Sequence, residues 1–439
     1  MPPSKRIYSK AFEDTTRQPA LRRAWNKVHA NGIESRSETT KTEIVEFQKT
    51  ADKAIRKIQR EIRNGSFVFE KSVGKKVPKG SSGDFRPIVV APIETRILQR
   101  AVLDQLLKQA SLKPYIVTPY SFGGITKQTD DGIAAVPLAI SKILDAKKNG
   151  LNYVRCADIS AFFTKIRKST VRGIISNEIQ ALDFMNLFDN CVAVELENSA
   201  QLGADAIRFP REDLGVAQGS ALSPLLGNIL LHGFDQAMNE GDCACFRYID
   251  DIIILAPSER AANARFRKAE GLLSDLQLEF SAQKSCGGVQ TFESGFEFLG
   301  IEIVNGLIRP NGKAVGKLKQ KIFDILDASK NEFSRDASKP FRSKFAMIPT
   351  LSRVSGTLNG WAKHYRFCND QKLFQSLDQD VESKVTKYLQ SYAASVRKNP
   401  EAKRDFLGIT SLNDIDWNPF SWPKQYPSPD EQNQSSSNF

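Results

Sequence analysis

The residue pattern predicts an α+β fold with a separate all-α module, on three observations. Apolar, strand-like segments at residues 152–159, 246–256 and 296–304 alternate with helical patterns, notably 223–238 and 260–276, as in a sheet packed on helices. After Asn311-Gly312 the apolar spacing turns helical and stays so to about Arg397. At 439 residues, 41% of them hydrophobic, the chain has core enough for about three domains.

In residues 41–64, Ile44, Phe47, Ala51, Ile55, Ile58 and Ile62 recur at three- and four-residue spacings with Lys53, Arg56, Lys57, Arg60 and Arg63 between them. That is an amphipathic helix with a basic outer face. Asn64-Gly65 ends it, and Phe67-Val68-Phe69 is read as opening a strand. A second helix is predicted over residues 93–110, with Ile97, Leu98, Val102, Leu106 and Leu107 on its apolar side. The polar, Pro/Ser-rich stretch from residue 426 reads as a disordered tail.

Composition narrows the function classes. No stretch approaches the ~18 apolar residues of a membrane span, and Met1-Pro2-Pro3-Ser4-Lys5-Arg6 has no apolar signal core, so a cytoplasmic protein is expected. Cys156, Cys191, Cys243, Cys245, Cys286 and Cys368 form no Cys-x-x-Cys pair, and only three histidines accompany them; these are expected to be reduced thiols rather than zinc ligands. The net charge of +12 is uneven, with +10 over residues 1–80, −4 over 81–310, +9 over 311–400 and −3 beyond. Basic flanks around an acidic centre suit a polyanion gripped at the ends, although lysine-rich surface helices give the same count.

The chemistry concentrates in Tyr248-Ile249-Asp250-Asp251, set between Phe246-Arg247 and the apolar run Ile252-Ile253-Ile254-Leu255-Ala256. Taken alone, an Asp-Asp pair reads equally as a solvated turn. In an apolar segment, however, an unpaired ionised carboxylate costs several kcal/mol, and a divalent cation is its natural partner. Asp158 ends another strand-like segment, followed by Ile159-Ser160-Ala161-Phe162-Phe163. Three carboxylates could hold two divalent ions ~3.5–4 Å apart, activating an attacking 3'-hydroxyl and stabilising a leaving pyrophosphate.

With these motifs in order, the chain resembles a reverse transcriptase over roughly residues 20–370. Val77-Pro78-Lys79-Gly80 and Phe85-Arg86-Pro87-Ile88 resemble the fingers. Asp158 and its followers resemble the first palm motif, and the stretch from Gln218-Gly219 to Gly227-Asn228 the second. Tyr248 to Asp251 resembles the YxDD box, and residues 278–284 with Phe296-Glu297-Phe298-Leu299-Gly300 the last palm motifs.

The resemblance implies a right-hand polymerase. Its parts would be a basic helical extension (1–70), fingers (71–150), a palm of mixed sheet packed on helices (151–310), an all-α thumb (311–400) and a tail (401–439). It implies Asp158, Ile159, Asp250 and Asp251 as the metal set for two Mg2+ ions, with Mn2+ as substitute. Lys79 and Arg86 would hold the triphosphate. Phe163 would be the gate against a ribose 2'-hydroxyl, and Gln218 and Gly219 would lie against the nucleotide. Lys284 would protonate pyrophosphate, unless it is a salt-bridging surface lysine. Tyr248, Phe298, Leu299, Gly300 and Trp361 would touch primer or template, although an apolar strand end looks the same as Phe298-Leu299-Gly300.

Implied partners are an RNA template in the form of a structured non-coding RNA, a DNA primer or cDNA product, and dNTPs. No membrane is implied, and a homo-oligomer stays open. Leu358-Asn359-Gly360-Trp361-Ala362-Lys363-His364-Tyr365 and Arg23-Ala24-Trp25-Asn26-Lys27-Val28 resemble the group II intron lineage, while Ile249 departs from the alanine common in retrons. No His/Cys-rich endonuclease module follows, so a stand-alone, defence-associated (antiphage) reverse transcriptase is the expectation. Untemplated or protein-primed synthesis of the abortive-infection type, and a maturase-like splicing factor, are the alternatives.

Overall fold

Four of the long helices start at a single polar residue. Ser37, Ser258, Asn311 and Asp370 each accept a first-turn amide, from Thr40, Ala261, Ala314 and Leu373, and open the helices Glu38–Asn64, Glu259–Asp275, Gly312–Phe333 and Gln371–Lys398. The computed structural model describes residues 8–35, 37–80, 83–124, 133–282, 287–335, 340–410, 412 and 415–420. Lys284, Cys286 and the stretch from residue 426 lie outside them. Two compact units divide the chain, residues 1–309 and 310–439.

In the first unit the basic helix runs Glu38–Asn64 and ends at Gly65, whose φ of +79° suits glycine. Its Ile44, Ala51, Ile55 and Ile58 are buried against Leu21, Ala24, Trp25 and Val28 of the helix Gln18–Ile33 and Ile97 and Leu98 of Ile93–Leu106. Phe67-Val68-Phe69, read as a strand, lies in none. Its two rings meet edge to face at 4.9 Å on the core while Val68 faces out, so alternation arises without a partner strand. The nearby antiparallel pair is β1, Val73–Pro78, with β2, Phe85–Val90.

The central sheet has the order β4-β5-β3-β6, with β3 Tyr153–Asp158, β4 Ala244–Tyr248, β5 Asp251–Ala256 and β6 Gln290–Thr291. The expected mixed sheet is antiparallel in each of these pairs. Helices Ala135–Lys148 and Glu259–Asp275 pack on it, and Ile252 to Ala256 are wholly buried, which accounts for an apolar run without alternation. Two stretches read as continuous strands are hairpins. Residues 246–256 break at Ile249, and 296–304 break between β7, Phe296–Phe298, and β8, Ile301–Val304. A short β9, Leu307–Pro310, completes the second sheet. Residues 223–238 likewise form two helices, Ser223–Leu230 and His232–Met238.

The second unit is helical, with Gly312–Phe333, Met347–Tyr365 and Gln371–Lys398 burying Leu318, Ile322, Leu326, Phe333, Val354 and Tyr388. Glu332 is buried there, with Arg342 donating to it from Nε at 2.9 Å and from its main-chain amide at 3.0 Å, and Arg335 Nη1 at 3.1 Å. Arg342's side-chain bonds, ahead of the other contacts, hold the Glu332 carboxyl down at about 2. A depressed folded pKa stabilises above the unfolded value, near 4.5, and that stabilisation is lost as pH falls towards 2. Acid titration followed by circular dichroism should therefore show this unit weakening across that window. In Glu332→Gln the dependence should be flatter and stability at neutral pH lower.

Candidate active site

Strand register assembles the site. In the β3–β5 pair Asp158 stands opposite Asp251, and in the β4–β5 pair Tyr248 stands opposite the same Asp251, leaving Ile249 and Asp250 as a two-residue turn. The Ile159 amide donates to the Asp250 carbonyl at 3.0 Å, fastening the end of β3 to that turn. On the far side, the Ser160 amide donates to the Glu279 carbonyl at 2.8 Å and the Ser281 amide to the Asp158 carbonyl at 2.7 Å.

These contacts bring one carboxylate oxygen each of Asp158, Asp250 and Asp251 within 4.8 Å of one another, the only such acidic, His or Cys cluster among the described residues. Asp158 is buried and the other two are half-buried. Two ionised carboxylates at 4 Å repel by roughly 4 kcal/mol near a protein surface, and a divalent cation between them reverses the sign. All three donors are hard oxygens, which suits Mg2+ or Mn2+. Ile159 has a buried side chain and could offer an ion only its main-chain oxygen. Burial, and then the charge of Asp251, push the Cys156 thiol on β3 up to about 12, so it is no thiolate nucleophile.

The turn is strained. Ile249 has φ +62° at the first turn position, where a two-residue hairpin prefers glycine, and a β-branched residue there costs about 1–3 kcal/mol. Arg247, just before Tyr248, is 1% exposed and paired with the equally buried Asp235. Sequence reasoning missed both. Nothing local marks them, because a cation after Cys245-Phe246 reads as solvated until its partner is known.

A second group forms where β2 meets the segment before the helix Ser223–Leu230. The Val89 amide donates to the Gln218 carbonyl at 2.9 Å, and Ile88 bridges Gln218. Arg86 is two residues from Ile88 and so on the same face of β2. Gly219 has φ +116°, and a Cβ there would come 2.9 Å from the Val89 carbonyl oxygen. Lys79 Nζ lies 4.0 Å from Asp84, whose carboxyl is held below its ordinary range chiefly by a hydrogen bond from Arg208. That Arg208, 4.0 Å over the Phe85 ring, is a further cation beside Lys79 which sequence reasoning missed.

Phe162 and Phe163 belong to a single helical turn, Phe162–Lys165, not to a strand. Phe162 is buried against Gly227, whereas Phe163 is half-buried with its carbonyl accepting from the Val216 amide at 2.8 Å. Phe298 is buried at the end of β7, and Leu299 and Gly300 form the hairpin tip with φ of +53° and +78°. Trp361 lies in the second unit, its ring tilted against Tyr365 at 4.6 Å and edge to face with Phe374 at 6.2 Å on that unit's core.

The family model described as reverse transcriptase (RNA-dependent DNA polymerase) matches residues 77–303. Protein YkfC of Escherichia coli (strain K12) is 26% identical over 164 residues, which is 37% of this chain and 40% of that relative. The chain thus spans less than half the length of the curated relative it matches. Among solved structures, a partial Cas6-RT-Cas1–Cas2 complex is 17% identical with a TM-score of 0.35, covering 59% of this chain and 42% of that one. The telomerase of Candida albicans, in complex with a TWJ fragment of telomeric RNA, is 12% identical with a TM-score of 0.39, covering 79% and 61%.

The close approach at Gly219 can be tested directly. Gly219→Ala should break the Val89–Gln218 hydrogen bond, read as faster amide hydrogen exchange at Val89, and should destabilise the first unit by about 1–3 kcal/mol.

Proposed function

This chain belongs to the reverse transcriptase family, and on that premise we propose that it is an RNA-directed DNA polymerase making cDNA by two-metal nucleotidyl transfer at Asp158, Asp250 and Asp251. The observation that carries the proposal is the register that gathers those three carboxylates within 4.8 Å. Bound Mg2+, or Mn2+ in its place, would supply Lewis-acid activation of a primer 3'-hydroxyl and charge neutralisation of the leaving pyrophosphate.

The chain's own residues do the rest. Asp158, Asp250 and Asp251 hold the ions, with the Ile159 main-chain oxygen beside them. Lys79 and Arg86, on a fingers hairpin formed by β1 and β2, hold the triphosphate of the incoming nucleotide. Gln218 and Gly219 lie against the nucleotide, in a segment that the missing Gly219 side chain lets pack closely on the Val89 carbonyl. Phe163 presents its half-buried ring where a ribose 2'-hydroxyl would clash, favouring dNTPs. Tyr248, the Phe298-Leu299-Gly300 tip and Trp361 contact primer and template, and Lys284 supplies the proton to pyrophosphate.

The finer reading is a polymerase of the group II intron-like lineage, acting in the cytoplasm on a structured non-coding RNA in antiphage defence. Leu358 to Tyr365 and Arg23 to Val28 support that lineage. No helix among the described residues is long and apolar enough to cross a membrane.

Primer extension on a defined RNA template tests the core of this. The wild type should make DNA complementary to the template, and Asp250→Ala with Asp251→Ala should lower the rate by at least 10²–10³-fold, on the order of losing a major electrostatic contribution. Unchanged synthesis in the double variant, or product unrelated to the template, contradicts it. Phe163→Ala should raise ribonucleotide use relative to deoxynucleotide on the order of 10- to 100-fold, measured by competing rNTP and dNTP incorporation.

A further inference from the structure

Arg247 heads the largest fully buried side chains among the described residues, and its position beneath the Ile249 turn calls for a reason. A buried ion pair is weak as a stabilising device, because apolar residues of similar volume often serve as well. What apolar residues cannot do is hold a main-chain carbonyl. Arg247 Nε and Nη2 donate to the two carboxylate oxygens of Asp235 at 2.8 and 2.6 Å. That bidentate pair orients the fork so that Nη1 donates to Asn228 Oδ1 at 3.1 Å and to the Ile249 main-chain oxygen at 2.9 Å.

Asn228 extends the grip to the other side of the turn. Its Oδ1 also accepts from Ser121 Oγ at 3.2 Å, and its Nδ2 donates to the Gly123 carbonyl at 3.4 Å. Gly123 packs directly on the turn, where an added Cβ would stand 2.8 Å from Ile249 Cγ1 and 3.0 Å from the Ile249 amide nitrogen. The Arg247 main chain is tied to the same segment, its amide donating to the Tyr120 carbonyl at 2.8 Å and its carbonyl accepting from the Phe122 amide at 2.9 Å. Ile249 is therefore held at its carbonyl by Arg247 and at its amide and side chain by Gly123, and Asn228 bonds to both.

We propose that Arg247, oriented by Asp235 and Asn228, is the positioning residue of the metal centre: it fixes the strained Ile249 peptide and so sets where Asp250 and Asp251 present their carboxylates. The inference rests on the reading of those aspartates as metal ligands. Lysine cannot replace Arg247, because one ammonium lacks the fork that reaches Asp235 and the Ile249 carbonyl together.

The test uses the full chain with Arg247→Lys, Asn228→Ala and, as control, Asp250→Ala. Mn2+ binding is measured by calorimetry without nucleic acid, and kcat and KM for dTTP are measured on primed poly(rA) at rising Mg2+. Asn228→Ala leaves the Arg247–Asp235 pair in place, so it decides the matter if Arg247→Lys does not fold. Both variants should weaken Mn2+ binding, raise half-saturating Mg2+ and lower kcat, each on the order of 10-fold, with KM for dTTP changed by less than about 2-fold. Wild-type Mn2+ binding and kcat in Asn228→Ala, alongside lost binding in Asp250→Ala, overturn the positioning role and leave the metal reading standing. Wild-type Mn2+ binding in Asp250→Ala overturns both.

Discussion

The antiparallel register of β3, β4 and β5 is the constraint on which the rest of this protein depends. Side chains alternate across a strand, so a slip of one residue between β3 and β5 would send Asp158 and Asp251 to opposite faces of the sheet. Burial alone does not prevent that slip, since Ile252 to Ala256 are buried throughout and would be apolar in either register. The turn does. Two residues between Tyr248 and Asp251 set the β4–β5 pairing, and the Ile159 amide bonded to the Asp250 carbonyl carries that setting to β3.

That solution costs conformational energy where the chemistry is placed. A β-branched residue at positive φ persists only if its surroundings over-determine it, and the buried guanidinium of Arg247 with the close approach of Gly123 provides such surroundings. The same economy appears at Gly219, where the Val89 carbonyl leaves no room for a side chain and β2 is joined to the Gln218 segment. In both places a glycine on one element lies against main chain of another.

What could be read in the sequence follows from how local each signal is. Asp250-Asp251 stood out because carboxylates contradict the apolar run beside them, and the Ile44 to Ile62 spacing announced its helix because the period lies within one element. Asp158 carried meaning only through its resemblance to a motif, since its pairing with Asp251 spans most of a domain. A turn at Asp250-Asp251 was suggested by the paired acids, but its exact break at Ile249 was not, since a β-branched residue rarely takes positive φ, and at Leu299-Gly300 only the glycine hinted at the tip of a stretch read as one strand. Arg247 and Asp235 were invisible for another reason. A charged residue is read as solvated until its partner is known, and that partner lies on a different element.

The most direct measurement is the anomalous scattering of Mn2+ in a crystal of the chain bound to primed RNA template and dNTP. Peaks in contact with carboxylate oxygens of Asp158, Asp250 and Asp251, with Ile249 still at positive φ, are the expected result. Mn2+ bound elsewhere, or an Asp250-Asp251 turn directed away from Asp158 when nucleotide is bound, would contradict the assignment of these three residues as the centre of the chemistry.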